Sequence, residues 1–240
     1  MLVAALQTAR GGSVGVPGKN TLPVRGRPLF AHSLRAALRT PEIDGVWTST
    51  DVPEIAAWAK ASGCRVIDRP VELRGPSASH HETILHGLGR IEAEWGRQLD
   101  ALVILLGNAA GAAAADLSAA VGALRDDAGL DSVESVSPFP MFNPFRALCR
   151  TEAGLLETIV PQAWIRRHSS GLANDRRAAG EVLFFNGSFW AVRRRALLVD
   201  DGLLPFPWLG KRILPYVQPP RMELDEPWQL AVLAQQPEDA

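Results

Sequence analysis

Short unbroken apolar runs alternate along the chain with stretches in which apolar residues return every three or four positions. The runs are "LVAALQ" (2–7), "GVWTST" (45–50), "CRVI" (64–67), "ALVILL" (101–106) and "DSVESVS" (131–137). Continuous apolar strands are expected where helices cover both faces of a sheet. Between them, "PLFAHSLRAALR" (28–39) sets Leu29, Phe30, Leu34, Ala37 and Leu38 on one helical face. "PEIAAWAKAS" (53–62) opens on a proline just after Asp51, and "HETILHGLGRIEAEW" (81–95) carries a stripe of Ile84, Leu85, Leu88 and Ile91. This order predicts an α/β fold: a mostly parallel central sheet, Rossmann-like, with right-handed crossovers and helices on both faces.

The rhythm breaks near residue 138. "SPFPMFNPFRA" is rich in proline and phenylalanine, and "IRRHSSGLANDRRAAG" is polar and irregular. The stretch from about 138 to 182 reads as an insertion or flap within one domain spanning 1–240. The strand pattern resumes with "SFWAVRR" and "RILPYV", and no internal repeat is visible.

Composition narrows the class of function. The chain has 240 residues, 47% of them hydrophobic, enough to bury a core without staples. Its formal net charge of −1 argues against a general nucleic-acid binder. Two cysteines, Cys64 and Cys149, make no disulfide framework, so a reducing, cytoplasmic setting is expected. "MLVAALQTAR" lacks a basic lead, and its apolar run is too short for a signal peptide or a membrane span. The expectation is a soluble protein with no membrane partner.

The first strand is followed by "ARGGSVGVPGKN" (9–20), which holds four glycines, Arg10 and Lys19. A glycine-rich turn behind a strand can bring backbone N–H groups against phosphate oxygens, and nearby cations neutralise a polyphosphate. The loop fits neither the Walker pattern nor the dinucleotide pattern. On residue types alone it serves a plain tight turn equally well.

The wider sequence resembles the acylneuraminate cytidylyltransferase family, the CMP-sialic acid synthetase-like enzymes. The resemblance begins in "ARGGSVGVPGKNTLPVRGRPL" and continues through "STDVPEIAAWA", "DRPVELRGPSASHHETILHGL", the "NG" of "FFNGSFWAVRR" and "MELDEPWQL". It implies an α/β nucleotidyltransferase domain, dimeric through its irregular insertion, that uses CTP and Mg²⁺ and joins CMP to an acidic sugar with release of pyrophosphate. By the resemblance, Ala9, Arg10, Gly11, Gly12, Ser13, Lys19 and Asn20 form the triphosphate loop, with Arg10 and Lys19 catalytic. Arg69 and Ala78 fall at the cytosine end, and Asn108 and Asn186 at the acceptor side. Glu223 and Asp225 fall on the paired metal carboxylates, with Asp225 catalytic and Glu223 assisting. Taken alone, "MELDEPW" also reads as an acidic turn in which Asp225 caps the next helix.

Four positions depart from that pattern. Val14 stands where the family has a lysine, and Thr8 where a proline precedes the Ala-Arg pair. "GNAAGAA" (107–113) replaces a polar segment that faces the acceptor, and Phe184 replaces an arginine two positions before the "NG" pair. Phe184 and Ala110 read as packing residues. An arginine–carboxylate contact is not replaceable by an aromatic ring, so Arg146, Arg176 and Arg177 become candidates for an acceptor carboxylate; each also reads as a solvated surface charge. The acceptor is therefore a nonulosonate-like acid or another acid such as a phosphonate, and a non-catalytic nucleotide-binding homologue is the remaining alternative. His80 and His81 lack further metal ligands and read as surface or cap residues. Cys64 reads as a small core residue, and Trp208 as core or pocket rim.

Overall fold

In the computed structural model, which describes residues 1–75, 77–139, 142–168 and 181–236, the first apolar run becomes β1 (Val3–Ala9). A two-stranded hairpin follows, β2 (Pro23–Val24) and β3 (Arg27–Pro28), then α1 (Leu29–Leu38), β4 (Gly45–Thr50), α2 (Pro53–Ala61) and β5 (Arg65–Asp68). Next come α3 (His80–Trp95), β6 (Ala101–Leu106), α4 (Ala114–Asp126) and β7 (Ser132–Pro138). Contacts divide the chain into two units. The larger comprises Met1–Ser135, Asn186–Tyr216 and Arg221–Ala240, and the smaller Val136–Phe185 with Val217–Pro220.

In the larger unit β1 lies between β4 and β6, parallel to both, and β5 extends the parallel set. A long strand, β10 (Leu183–Arg193), joins β6 antiparallel, and β11 (Ile213–Val217) completes the order β11-β7-β10-β6-β1-β4-β5. Alternation along β1 explains its unbroken apolar run. Val3, Ala5 and Ala9 pack with Phe30 and Leu34 of α1, Ile55 of α2 and Leu117 and Val121 of α4. Ala4 and Leu6 face the other way, toward Ile84, Leu88 and Ile91 of α3. Each fully buried side chain of this size contributes about 1.5–3 kcal/mol. The one polar residue in the run, Gln7, is fully buried and fully bonded. Its Nε2 donates to the Phe30 carbonyl and Ser33 Oγ, and its Oε1 accepts from Thr48 Oγ1.

Local chemistry sets the bounds of two expected helices. Pro53 opens α2 at its first position. Ser79 caps α3 by accepting from the Glu82 N–H at 3.3 Å, and Gly96, left-handed at φ 66, ends it. His80 and His81 are not surface residues. His81 stacks on Trp208 with ring centroids 5.5 Å apart, and His80 packs against Trp190 and Trp208. They were misread because their partners are more than 100 residues away. Trp208 is itself buried, as are Ala110 and Cys64. Burial pushes the Cys64 thiol up to about 11. Among the described residues no helix is long and apolar enough to cross a membrane.

The smaller unit holds most of the stretch from 138 to 182. It contains a hairpin, β8 (Leu148–Arg150) with β9 (Leu156–Thr158), and a short α5 (Gln162–His168). Phe142, Leu148, Leu155, Leu156, Ile159 and Trp164 are exposed there. A cavity of about 570 Å³ lies among Phe145, Ile159, Pro161 and Trp164. Phe184 packs on Phe139 with ring centroids 6.2 Å apart. Arg146 lies in a short turn of this unit, and Arg176 and Arg177 fall outside the described residues.

Candidate active site

The register of β1 ends Ala9 beside Thr50 of β4 and Thr8 beside Leu106 of β6. Three loops therefore leave the same, carboxyl-end edge of the sheet, where open α/β sheets hold their ligands. The first is the glycine-rich segment. Gly11 N–H donates to Asp51 Oδ1 at 2.8 Å, which ties the loop to the end of β4. Asn20 Nδ2 donates to the Arg10 carbonyl at 2.8 Å and closes the loop on itself. Gly12 (φ 64) and Gly18 (φ 66) take left-handed conformations that side chains resist. Gly18 precedes a short turn, Lys19–Thr21, that aims Lys19. Ser13 is half-buried, whereas Val14 is 80% exposed. The valine thus presents an apolar side chain where the resemblance implies a cation.

The second loop and the chain's last strand-like segment meet this one. Glu223 bridges Ala109, and the Leu224 N–H donates to the Asn108 carbonyl at 2.8 Å. Asn108 Nδ2 lies 3.3 Å from Glu223 Oε2, from the Leu224 carbonyl and from Asp225 Oδ1. Lys19 Nζ reaches the same Asp225 Oδ1 at 2.6 Å. Two N–H groups of one amide cannot fully satisfy three acceptors. The Asn108 amide is thus shared between the two carboxylates and the Leu224 carbonyl. Burial, and then the neighbouring Asp225 charge, push the Glu223 carboxyl above its ordinary range.

Close packing holds the pair in place. A Cβ on Gly187, at φ 72, would collide with the Glu223 side chain, and one on Gly15 with the Asp225 carbonyl. Gly107 is needed for a third reason, since a Cβ there would sit 2.6 Å from that of Ala9. Asp225 does not cap the following helix, α7 (Pro227–Gln235). Glu226 does, in a reciprocal capping box with Gln229. Gln229 Oε1 also accepts from the Asp225 N–H at 2.6 Å. The Asp225 carboxylate is left to Lys19 and Asn108.

Oxygen donors of this kind suit a hard divalent cation such as Mg²⁺. Among the described residues no group of three or more His, Cys, Asp or Glu forms a protein-only cage. A cation at Glu223 and Asp225 would draw its other ligands from substrate and water.

Arg69 and Ala78 lie on a different part of the edge. Arg69 is buried, its Nη2 donating to the Ser49 carbonyl at 2.9 Å. Burial pulls its guanidinium down to about 10, opposed by the Asp51 carboxylate. Arg74 Nε donates to the Arg69 carbonyl, and Arg10 Nη1 to the Arg74 carbonyl at 3.2 Å, so a chain of arginines links this end to the loop. Half-buried Ala78 closes a turn onto the Gly75 carbonyl at 3.2 Å. Buried Asn186 uses its Oδ1 to accept from the Ser188 N–H at 3.0 Å. Thr8 Oγ1 and His80 Nε2 lie 3.0 Å apart behind the loop.

Sequence reading named Lys19, Asn108, Glu223 and Asp225 in separate roles, at the triphosphate loop, the acceptor side and the metal pair; the structure joins them in one cluster. It assigned no role to Asp51, Gly15 or Gly187. The available signal for Asp51 was an acid directly after the end of β4, in "STDVP".

The pattern of the family described as cytidylyltransferase matches residues 4–84. The N-acylneuraminate cytidylyltransferase of Oncorhynchus mykiss is 44% identical over 82 residues, 34% of this chain and 19% of that protein. The CMP-N,N'-diacetyllegionaminic acid synthase of Legionella pneumophila is 41% identical over 66 residues, 28% of each chain. The matched stretch is thus about a fifth of the length of the first curated relatives. Over nearly the whole chain the fold is similar to CMP:2-keto-3-deoxy-manno-octonic acid synthetase complexed with CTP. There the TM-score is 0.68 at 18% identity, covering 98% of this chain and 97% of that one. It is also similar to 4-diphosphocytidyl-2C-methyl-D-erythritol synthase from Anaerococcus prevotii, with TM-score 0.62 at 12% identity, covering 97% and 94%. Residues 4–84 thus match the cytidylyltransferase family, and nearly the whole chain is similar in fold to these solved structures.

Proposed function

We propose that the protein transfers CMP from CTP to an acidic sugar of the nonulosonate type and releases pyrophosphate. The observation that carries this reading is the cluster of Lys19, Asn108, Glu223 and Asp225 at the mouth of the glycine-rich loop. Backbone N–H groups of residues 12–16 cradle the triphosphate, and Arg10 and Lys19 neutralise it. A sugar hydroxyl displaces pyrophosphate from the α-phosphorus, forming one O–P bond as the other breaks, and its proton passes to water. Such a transfer asks the protein for positioning and charge neutralisation rather than covalent help. Mg²⁺, held by Asp225 with Glu223 in support, would neutralise charge on the phosphates. Asn108 keeps the two carboxylates converged, and Arg69 and Ala78 frame the cytosine end.

The exposed apolar residues of the smaller unit fit a homodimer interface, since a monomer rarely leaves such a patch in water. Phe184 and the alanine-rich segment 107–113 leave the acceptor's carboxylate without an arginine from those positions. That favours an acceptor bound differently from the family's usual one. The Lys19–Asp225 pair speaks against a non-catalytic homologue. Pyrophosphate release from CTP, measured against a panel of acidic sugars and an aminoalkyl phosphonate, tests the reading. Release with none of them, or equal release from ATP or GTP, overturns it.

A further inference from the structure

Away from the carboxylates, a small cavity opens among the β2–β3 hairpin, α1 and the start of α4. Arg25, Arg27, Arg35 and Arg39 line it together with His32 and Ala110. The alanines 110 and 112–114 leave the room that the guanidinium groups face. About 30 Å³ of free space suits a small ion or one or two waters, and excludes a nucleotide.

Three features set this cluster apart from ordinary surface charge. First, Arg35 and Arg39 are spaced four apart on one face of α1, an arrangement that is repulsive for like charges. Neither has a carboxylate partner among the described residues. Position near the end of α1 accounts for a cation there; it does not account for convergence with two more from the hairpin. Second, Arg25 occupies the first place of a two-residue turn at φ 49, followed by Gly26 at φ 77. Such turns favour Asn and Gly. Here the strained position holds an arginine whose guanidinium points inward. Third, the inward group is fixed. Arg25 Nη2 donates to the Ala110 carbonyl at 3.1 Å and to His32 Nδ1 at 3.4 Å. His32 Nε2 in turn donates to the Val24 carbonyl at 2.9 Å, so the imidazole is neutral. Asp116 in the first turn of α4 is engaged elsewhere: its Oδ2 accepts from the Ala113 N–H and its Oδ1 from Tyr216.

We propose that this arginine-lined cavity is an oxyanion-binding site, separate from the nucleotide loop, taking a phosphate-sized anion or a carboxylate. Guanidinium groups in a fixed array match phosphate and carboxylate oxygens in pairs. The anion relieves the repulsion between Arg35 and Arg39. Through Arg25 and Ala110 its occupancy also steadies the segment whose neighbouring residues, Asn108 and Ala109, hold Glu223.

Two sources share that chemistry. One is a free anion. The other is this chain, because Arg25 Nη1 donates to the Gln236 carbonyl at 3.2 Å, and the next four residues, "PEDA", carry Glu238 and Asp239.

The test is calorimetric melting in inorganic phosphate against chloride at matched ionic strength. It uses four chains: the full chain, a chain ending at Gln236, and each of these carrying Arg35→Gln with Arg39→Gln. At a hundredfold excess over Kd, phosphate raises the melting temperature by about 5 °C. Lys19→Ala in the full chain and in the chain ending at Gln236 separates this effect from phosphate at the nucleotide loop. A shift in both parent chains, kept with Lys19→Ala and lost in the double variants, identifies a free anion as occupant. A shift seen only in the chain ending at Gln236, again kept with Lys19→Ala and arginine-dependent, identifies the acidic tail. No shift in either parent chain, a shift that survives Arg35→Gln with Arg39→Gln, or one lost with Lys19→Ala overturns the proposal.

Discussion

Replacing His80 by glutamine, at neutral and at acid pH, isolates a side chain whose charge the fold suppresses. Its Nε2 pairs with Thr8 Oγ1 at 3.0 Å, and its ring lies against Trp190 and Trp208. Burial first, then the Arg69 and His81 charges, pull the imidazole down from 6.5 to about 4. Below pH 6.5 the unfolded chain therefore binds a proton that the folded chain refuses. Stability from this group is complete above pH 6.5 and is lost as pH falls toward 4. A depression of that size corresponds to about 3 kcal/mol in full, and about 2.5 kcal/mol is already lost at pH 4.5.

Glutamine can keep a hydrogen bond to Thr8 but carries no titration. Urea unfolding at pH 7 should find H80Q less stable than the wild type by about 1–2 kcal/mol through lost ring packing. At pH 4.5 the difference should move in favour of H80Q by about 2.5 kcal/mol. The comparison between variants matters because other groups titrate in the same window. Glu134 slopes the opposite way, and the subtraction removes it. A difference that stays constant to within about 0.5 kcal/mol between the two pH values refutes the reasoning.

Asp225→Asn should lower turnover roughly a hundredfold while melting within about 1 kcal/mol of wild type, because its pair with Lys19 is partly exposed; steady-state rates and calorimetry check both. Gly15→Ala pushes a methyl into the Asp225 backbone, which cannot swing aside; activity at saturating CTP should drop at least about tenfold, a cost of 1–3 kcal/mol in misplaced packing. Glu134 is buried in β7 without a hydrogen-bond partner for either oxygen among the described residues, and burial pushes its carboxyl well above the ordinary range. The unfolded chain gives up this proton at lower pH, so the contribution of this group to stability falls as pH rises above the ordinary carboxylate range. Glu134→Gln should flatten that fall, read by urea midpoints. Calorimetric titration should show CTP binding more tightly than UTP, ATP or GTP.

The sheet was legible because β1 and β6 are covered on both faces, which leaves an unbroken apolar run no other comfortable place. The same reasoning located α1, α2 and α3 to within a residue or two. The site was legible in parts. A glycine-rich loop after a strand announces itself locally, and so does an acid pair. The join between them does not, since Lys19 meets Asp225 across 206 positions of sequence. The two histidines failed for that reason: a tryptophan cage built from residues 190 and 208 has no trace beside position 80. Asp225 as a helix cap was a fair local alternative, settled only by Gln229 reaching back to the N–H groups of residues 225 and 226.

The bond between Lys19 and Asp225 also sets an order of events during synthesis. Lys19 of the glycine-rich loop leaves the ribosome 206 residues before Asp225. A nascent chain can therefore hold the first strand and the loop long before it holds either acid. Until residues 223–225 emerge, Lys19 has no partner from that segment, and the Glu223 bridge to Ala109 cannot form. A nucleotide caught early would meet cations and backbone donors without the acid pair. The acid pair joins the loop only after the last strand of the sheet, Ile213–Val217, has been made.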